Sequence, residues 1–368
     1  MTDTAFIQET FEYLHENPEI AFKEHKTTAF IAEKLEGWGF ELRQADGLTG
    51  LVGILDSGKP GVTFGIRADI DALPFEVDGQ PVAYHACGHD AHTTMALAAA
   101  KALSEEGLPK GRLMMVFQPA EEVGGGAKAM LAAGLLEGLD EIVAFHIRPA
   151  EDVPFGKATP RLFFTASSHL GFKLTGKIAH GARPHLGINA VDAGVLAVNG
   201  VNAIKGNPAI GHSVKVTRFI SMGSGTNSIP AEVELGFDLR CQDDAEMQRL
   251  REAVKRAVQS AADAVGCKVE LTRDGLTRAG GYDDGLANDA RAVIAEVLGE
   301  ENVVESFRTP GGEDFNEIGY QLGCKACYMG LGTGAAPGLH HYGMQFNHDA
   351  LQTGTEVLVR LARKRLSA

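Results

Sequence analysis

The sequence predicts an α/β fold: a mostly parallel-sheet catalytic domain with helices on both faces, and a smaller α+β domain inserted into it. Two observations support this prediction. Short apolar runs alternate with helical runs from the N-terminus to Pro149, which is typical of a parallel sheet buried between helices. Two later segments alternate apolar and polar residues instead, which is typical of half-exposed antiparallel strands.

In the first part of the chain, apolar residues at helical spacing predict an amphipathic helix over residues 1–40, ended by Gly37 and Gly39. Strands are predicted at 51–55, 62–66, 113–117 and 142–145, and helices at 93–105 and 126–133.

Polar side chains directly follow several of these strands. Because the carboxyl ends of parallel strands share one edge, we expect a site there. The side chains concerned are Asp69, Asp71, Glu121, Glu122 and His146.

The inserted domain is indicated by a change of pattern near Pro160. Strands are predicted at 170–174, 213–220, 231–240 and 268–272, and helices at about 189–205 and 245–265. We therefore expect an antiparallel sheet with two helices at 166–277, and a main domain formed by 1–165 and 278–368. The length of 368 residues fits two domains, at ~150 residues each.

The composition excludes several classes of partner. The net charge of −14 argues against nucleic acid or an anionic membrane. The N-terminus lacks the basic start and apolar core of a signal peptide. No run of about eighteen apolar residues suggests a membrane span.

The five cysteines are odd in number and widely scattered, which favours a reducing cytoplasm over a disulfide framework. Cys324 and Cys327 have the spacing of a zinc or redox pair, but they fit a buried strand leading to residues 328–332 more simply.

The densest group of ligand-type side chains is residues 85–92, which contain one thiol, one carboxylate and three imidazoles. Such groups are costly to bury unless a cation or a reaction uses them. Cys87 and His89 are alternate residues, so they can face the same point. Glu121 and Glu122 are adjacent, so one can bind a metal ion while the other acts as general base on a water molecule. Further candidate donors in apolar settings are His146 and His340.

Two other uses of these residues stay open at this point. Cys87 could be the nucleophile of a cysteine hydrolase with a nearby imidazole as base, and such an enzyme would survive chelation. Alternatively, a binding or regulatory protein could keep a metal-containing pocket without turnover. His85 and His92 flank the candidate ligands and could support them without binding metal.

Several long motifs occur in one order along the chain, at residues 14–22, 67–74, 85–93, 117–127, 176–185, 225–230, 312–315 and 338–340. Together they resemble, almost end to end, the aminoacylase and hippurate-hydrolase family of dinuclear metallo-amidohydrolases, which includes hydrolases of indole-acetyl amino acids. The resemblance implies a catalytic domain with an inserted lid and dimerisation domain. It also implies two divalent metal ions, zinc or manganese in the first place and cobalt or nickel as further options.

The resemblance implies a role for each matching residue. The implied metal ligands are Cys87, His89, Glu122, His146 and His340. Glu121 is implied as the general base, Asp71 as the carboxylate that orients a ligand imidazole, and His180 as the residue that stabilises the oxyanion from its own or the partner subunit. Implied substrate-binding residues are Asn227 and Arg240, with His341 as a further candidate.

The function implied is hydrolysis of the amide bond of an N-acyl amino acid, or a similar small conjugate, by a metal-activated water. Dipeptidase or carboxypeptidase activity at the same site is the alternative. We expect a small-molecule substrate, no nucleic acid or membrane partner, a homodimer formed through the inserted domain, and a cytoplasmic location. Two departures from the family pattern are Ile178-Ala179 before His180 and His341-Tyr342 after His340.

Overall fold

The structure, a computed structural model, describes residues 3–221 and 225–368. The chain divides into two compact units. Unit 1 is formed by Met1–Phe163, Gly280–Thr309 and Glu313–Ala368, and unit 2 by Phe164–Ala279 and Pro310–Gly312. In the described part of the chain, no helix is long and apolar enough to cross a membrane.

The helices of the described residues are α1 (Thr4–Glu16), α2 (His25–Gly37), α3 (His89–Glu106), α4 (Gly126–Ala132), α5 (Ala190–Asn202), α6 (Asp244–Val265), α7 (Asp284–Leu298), α8 (Asn316–Leu322) and α9 (Asp349–Ser367). The strands are β1 (Glu41–Arg43), β2 (Leu51–Asp56), β3 (Thr63–Asp69), β4 (Leu73–Val77), β5 (Gln80–Tyr84), β6 (Arg112–Gln118), β7 (Glu141–Arg148), β8 (Ala158–Thr159), β9 (Leu162–Phe163), β10 (Ala166–Thr175), β11 (Ala179–His180), β12 (His212–Ser221), β13 (Ser228–Ile229), β14 (Glu232–Cys241), β15 (Lys268–Thr277), β16 (Phe307–Arg308) and β17 (Lys325–Gly332).

The central sheet of unit 1 has the order β1-β2-β6-β3-β7-β17-β8. Its four middle strands, β6, β3, β7 and β17, are parallel, whereas β1, β2 and β8 join at the edges in antiparallel pairs. The predicted mostly parallel sheet is therefore confirmed. Its parallel strands are buried along almost their whole length, as expected when helices cover both faces.

Helices cover both faces of this sheet because its side chains alternate between them. On one face, α3 and α9 pack over Phe64 and Ile66 of β3, within the main hydrophobic core. Met114 and Val116 of β6 are buried but lie outside that core. They belong to the other face, where α4 contacts β6 and α8 contacts β17.

Three local features differ from the sequence-based expectation. The single helix expected over the first forty residues is wrong, because the chain is non-helical from Asn17 to Glu24; Pro18 lacks an N–H and disfavours helix at the preceding residue. Helix α3 begins at His89, four residues earlier than expected. An unexpected hairpin forms from β4 and β5.

Unit 2 has a four-stranded sheet of order β12-β14-β10-β15, antiparallel throughout. Helices α5 and α6 pack together and against this sheet. Strands β10 and β14 alternate buried and half-buried residues, so one row of side chains, including Leu170 and Phe237, forms the core with the helices. Strand β12 lies at the edge of the sheet and is mostly exposed.

The loop between β6 and α4, residues 119–125, returns closely on itself where it meets the first residue of α4. A Cβ atom on Gly126 would lie 1.6 Å from the carbonyl oxygen of Pro119. Since that atom belongs to the backbone, it cannot move aside without shifting the loop. On the neighbouring Gly125, a Cβ would lie 3.2 Å from Cζ of Phe22, whose exposed side chain can give way.

We therefore expect Gly126→Ala to lower the free energy of unfolding by roughly 1–3 kcal/mol, the usual cost of overpacking. The matched control Gly125→Ala is expected to change it much less. Urea unfolding followed by circular dichroism measures both, and equal midpoints for the two variants would contradict the close approach.

Candidate metal centre

Cys87 and His89 are brought together by a glycine between the end of β5 and the start of α3. Gly88 has φ +84°, a conformation that favours glycine, and a Cβ there would lie 2.2 Å from Cδ1 of Ile147. Only glycine therefore lets this turn approach β7. Cys87 and His89 are both almost fully buried.

His146 lies within β7 and faces the thiol. Its Nδ1 lies 2.6 Å from the carbonyl oxygen of Ile147, which can only accept, so Nδ1 carries the proton and donates. The other nitrogen, Nε2, then has a free lone pair. This nitrogen lies 3.6 Å from Sγ of Cys87.

His89 is oriented in the same way by a carboxylate. Its Nδ1 donates to Oδ1 of Asp71 over 3.1 Å. Although burial opposes it, the nearby Asp69 and Cys87 raise the pKa of His89 well above its ordinary value, so without a cation Nε2 carries a proton that a bound cation would displace. Nε2 lies 3.8 Å from Oε1 of Glu122 and 4.0 Å from Oε2 of Glu121. Asp71 therefore has the geometry of a residue that fixes a ligand imidazole, and its Oδ2 also accepts the backbone N–H of Glu122 at 3.0 Å.

His340 joins the cluster from the far end of the chain. Its φ is +64°, and its backbone N–H donates to the carbonyl oxygen of Ala86 at 2.8 Å. This contact fixes the residue beside the Cys87 turn. Its Nε2 lies 3.5 Å from Oε2 of Glu122. The adjacent His341 is exposed, with Nδ1 donating to the carbonyl oxygen of Tyr342.

The donor set fits divalent cations. Donor atoms lie within 4.8 Å of one another in three overlapping groups: Cys87, His89 and His146; Cys87, Glu122 and His340; and His89, Glu121 and Glu122. Nε2 of His89 and Oε1 of Glu122 are buried without a hydrogen-bond partner among the described residues. A spacing of 3.8 Å between these two atoms suits a shared cation at about 2.0–2.2 Å from each.

The pKa values of these groups also favour binding of a cation. Burial, with repulsion from Glu313 and Asp314, raises the pKa of Glu121 well above its ordinary value. Burial raises the pKa of Glu122 to about 7, and burial also raises the pKa of the Cys87 thiol well above its ordinary value. Without a cation these acids therefore hold their protons more tightly than usual, and cation binding would displace the protons.

His92 forms a similar group of close donors with Asp69 and His89, but both of its nitrogens are already used. Nδ1 lies 2.6 Å from Oδ1 of Asp69 and donates to it. Nε2 accepts the backbone N–H of Ile147 at 3.0 Å. A neutral imidazole has one donor and one acceptor, so His92 has no lone pair left for a metal ion. It joins β3 to β7 instead.

The remaining predicted site residues belong to unit 2. His180 and Asn227 are neighbours there, because β11 pairs with β13 and the N–H of Gly181 donates to the carbonyl oxygen of Asn227 at 2.7 Å. Both side chains are exposed. The guanidinium of Arg240 donates two hydrogen bonds to Asp238, at 3.0 and 3.1 Å. Two of its N–H groups are therefore already used.

Sequence reasoning placed Asp69 at the site but did not find the buried ionic group to which it belongs, near Glu121. The guanidinium of Arg67 is fully buried and contacts the carboxylates of Asp69, Glu313 and Asp314 at 2.5, 3.0 and 3.3 Å. Tyr328 donates to Glu313 at 2.9 Å. The available signal was an arginine directly after the apolar strand 62–66, since such a charge needs buried partners.

A mostly parallel sheet with a thiol, imidazoles and carboxylates converging in one cluster defines the class: a metal-dependent hydrolase. The model of peptidase family M20/M25/M40 matches residues 65–364. The chain belongs to this family, and it is an amidohydrolase. The family resemblance inferred from the sequence motifs is confirmed.

Two curated relatives illustrate the likeness. A hippurate hydrolase of Campylobacter jejuni is 30% identical over 372 residues, covering 96% of this chain and 94% of that protein. A protein of Rhodococcus jostii named as a glutamate–cysteine ligase is 33% identical over 365 residues. The match covers 95% of this chain but only 45% of that protein, so this chain spans less than half of its length.

Solved structures show the same fold. A protein from methicillin-resistant Staphylococcus aureus, described as an aminohydrolase, is 29% identical with a TM-score of 0.89, covering 98% of this chain and 96% of that one. A dinuclear metal-binding M20 peptidase from Bacillus subtilis is 28% identical with a TM-score of 0.81, covering 99% of both chains. This likeness and the donor groups support a centre for two divalent ions.

The pKa of Glu122 predicts a pH dependence for the cation-free protein. Its value is about 7 in the folded state, against 4.5 ordinarily, so the folded state holds this proton more tightly than the unfolded one. Stability from this group is therefore lost as pH rises from about 4.5 to about 7. In chelator, we expect Glu122→Gln to be more stable than wild type at pH 8, by on the order of 1–3 kcal/mol.

This advantage should largely disappear at about pH 4, where Glu122 is protonated in the folded state and mostly protonated in the unfolded state. Urea unfolding in chelator at the two pH values measures the difference. A gap between wild type and variant that is the same at both pH values would contradict the raised pKa.

Proposed function

We propose that this chain hydrolyses the amide bond of N-acyl amino acids or similar small conjugates. Two divalent cations would be held by Cys87, His89, Glu122, His146 and His340. The convergence of these donors from four separate segments of the sequence carries the proposal. Similarity to a hippurate hydrolase, which by its name acts on an acylated amino acid, supports the substrate class.

When bound, divalent cations polarise an amide carbonyl and lower the pKa of water. Glu121 is the residue we assign to proton transfer. Its Oε2 lies 4.0 Å from the ligand nitrogen of His89, so the carboxylate faces the centre beside the donors. It would take the proton of the attacking water and deliver it to the departing amide nitrogen. Asp71 would hold His89 and the backbone of Glu122 in place during this transfer.

The roles of His180, Asn227, Arg240 and His341 in binding substrate or stabilising the oxyanion are proposals that rest on the family resemblance. Cation identity is likewise proposed as zinc or manganese first and cobalt or nickel next, because sulfur, nitrogen and oxygen donors accept all four. We also propose that units 1 and 2 are the catalytic and lid domains.

A hydrolysis screen tests the substrate class and the cation together. The chelated chain is reloaded with each cation and offered acetyl, benzoyl and aryl-acetyl amino acids beside dipeptides. We expect turnover of acylated amino acids that chelator abolishes. Preference for dipeptides would support the peptidase alternative, and turnover unaffected by chelator would overturn the metal proposal.

Glu121→Gln tests the proton-transfer assignment. We expect the variant to bind both cations but to lose about 10²–10⁴-fold in kcat, because the amide cannot accept the proton. Metal content by atomic emission and turnover with a saturating substrate are the two measurements. As the control, Glu122→Gln should lose a cation as well as activity. A Glu121→Gln rate near that of wild type would remove Glu121 from this role.

We propose that the chain forms a homodimer through unit 2. Strand β12 is an edge strand there, and such edges are usually covered. Exposed apolar side chains lie on β12 and α5: Phe219, Val195 and Leu196. The ring of Phe219 lies against α5, since a Cβ on Gly194 would be 2.8 Å from its Cζ. These residues form one apolar surface, which favours burial against a second copy.

We expect Leu196→Glu to convert the dimer to monomer, because it places a charge in this surface. The matched control is Leu271→Glu on β15, the opposite edge of the sheet, where the leucine is 43% exposed against 46% for Leu196. Light scattering after size exclusion gives the mass of each. A monomeric wild type, or dissociation by Leu271→Glu as well, would contradict this assignment.

The cysteines support our proposal of a cytoplasmic location. All five are free thiols, which is usual for a reducing compartment. Cys327 is buried in β17 with its Sγ donating to the carbonyl oxygen of Pro160 at 3.1 Å, so we give Cys324 and Cys327 no metal or redox role. Cell fractionation would test the location.

A further inference from the structure

One buried carboxylate holds both ends of the loop that carries the two glutamates. Asp314 precedes α8 and is 1% exposed. Its Oδ1 accepts a hydrogen bond of 2.6 Å from Nε2 of Gln118, the last residue of β6. Its Oδ2 accepts one of 3.0 Å from the N–H of Ala127, in the first turn of α4. A single side chain therefore ties residues 119–126 at both ends.

A second buried carboxylate holds the loop near its middle. Ala120 has φ +53°, a left-handed conformation that costs an alanine about 1–2 kcal/mol. Its N–H donates to Oε1 of Glu24 at 2.9 Å. Glu24 is fully buried, and its other oxygen accepts from the hydroxyl of Thr49. The strained residue immediately precedes Glu121, so this contact fixes the direction in which the two glutamates leave the backbone.

The donors around Asp314 require a carboxylate at this position. Gln118 and Arg67 both donate to Oδ1, the latter at 3.3 Å, while Ala127 donates to Oδ2. An asparagine has the same shape but only one acceptor oxygen, and its NH₂ group would face a donor on one side or the other. Either orientation of the amide releases one end of the loop.

We propose that Asp314, assisted by Glu24, is a positioning residue that sets where the loop places Glu121 and Glu122. It acts through the backbone of residues 119–127, beside the direct repulsion between its carboxylate and that of Glu121, and it thereby controls cation affinity and the rate of hydrolysis. The kinetic part of this inference rests on the proposed function. The cation-binding and loop-mobility parts do not.

The test is Asp314→Asn in the full chain. We expect faster amide hydrogen exchange across residues 120–127 in the cation-free protein. Manganese or zinc affinity by calorimetry should fall about 10–100-fold, as for other residues that support metal ligands. With saturating cation, kcat should fall by about 10–100-fold while KM stays within about threefold, since the loop presents Glu121 rather than the substrate pocket.

The matched control is Glu141→Gln, which also removes one buried carboxylate charge. Glu141 is 2% exposed at the start of β7, the opposite end of that strand from His146, and it accepts from Arg365 at 2.7 and 2.5 Å. We expect this variant to lose stability yet keep the exchange of residues 120–127, the cation affinity and kcat of wild type. A merely structural role for Asp314 would give the same result for both variants.

Wild-type cation affinity and loop exchange in Asp314→Asn would overturn the inference, as would equal effects of Glu141→Gln. Gln118→Met leaves the carboxylate of Asp314 in place and removes the tie at one end, together with the 3.0 Å hydrogen bond from Nε of Arg67 to Oε1 of Gln118. If Asp314→Asn does not fold, this variant should show the same pattern at smaller size; unchanged exchange and affinity there would equally overturn the inference. A wild-type chain that hydrolyses no acylated amino acid would refute the proposed function, while exchange and affinity would still decide this inference.

Discussion

The architecture of unit 1 depends on burying more negative than positive charge at the carboxyl ends of its parallel strands. Arg67 balances part of this charge through its contacts with Asp69, Glu313 and Asp314. In the described part of the chain, no arginine or lysine pairs with Glu121 or Glu122. Buried carboxylates without a counter-charge hold protons, and a divalent cation removes that need. Metal binding, protonation and stability are therefore linked in one cluster.

Much of the fold could be predicted because its strands are coded locally. The apolar runs before Asp69, Glu121 and His146 became β3, β6 and β7, whose ends share one edge. The hairpin of β4 and β5 was missed although Asp78-Gly79 carries its turn signal, with φ +51° and +73°. The predicted N-terminal helix wrongly continued through Pro18, because the spacing of apolar residues carries no information about the N–H that proline lacks.

The site was predictable at the level of residue types and not at the level of bonds. Adjacent or alternate donors such as Glu121 with Glu122, or Cys87 with His89, can be found by reading the chain. Which imidazole keeps a free lone pair depends on the partner of its other nitrogen, and this separates His146 from His92. Asp314 meets Gln118 across 196 positions of sequence, a separation over which no local pattern carries information.

The same contacts bear on the choice between a metal ligand and a cysteine nucleophile at position 87. A cysteine hydrolase needs a thiolate stabilised by a protonated imidazole. Burial raises the pKa of Cys87, and burial with the nearby His92 and Arg148 lowers the pKa of His146 well below its ordinary value. The pair therefore favours neutral thiol and neutral imidazole. His89, the other imidazole near the thiol, has a pKa that Asp69 and Cys87 raise well above its ordinary value although burial opposes this, but its Nε2 lies near Glu121 and Glu122. A divalent cation would supply positive charge that deprotonates the thiol, and it would use the lone pair of His146.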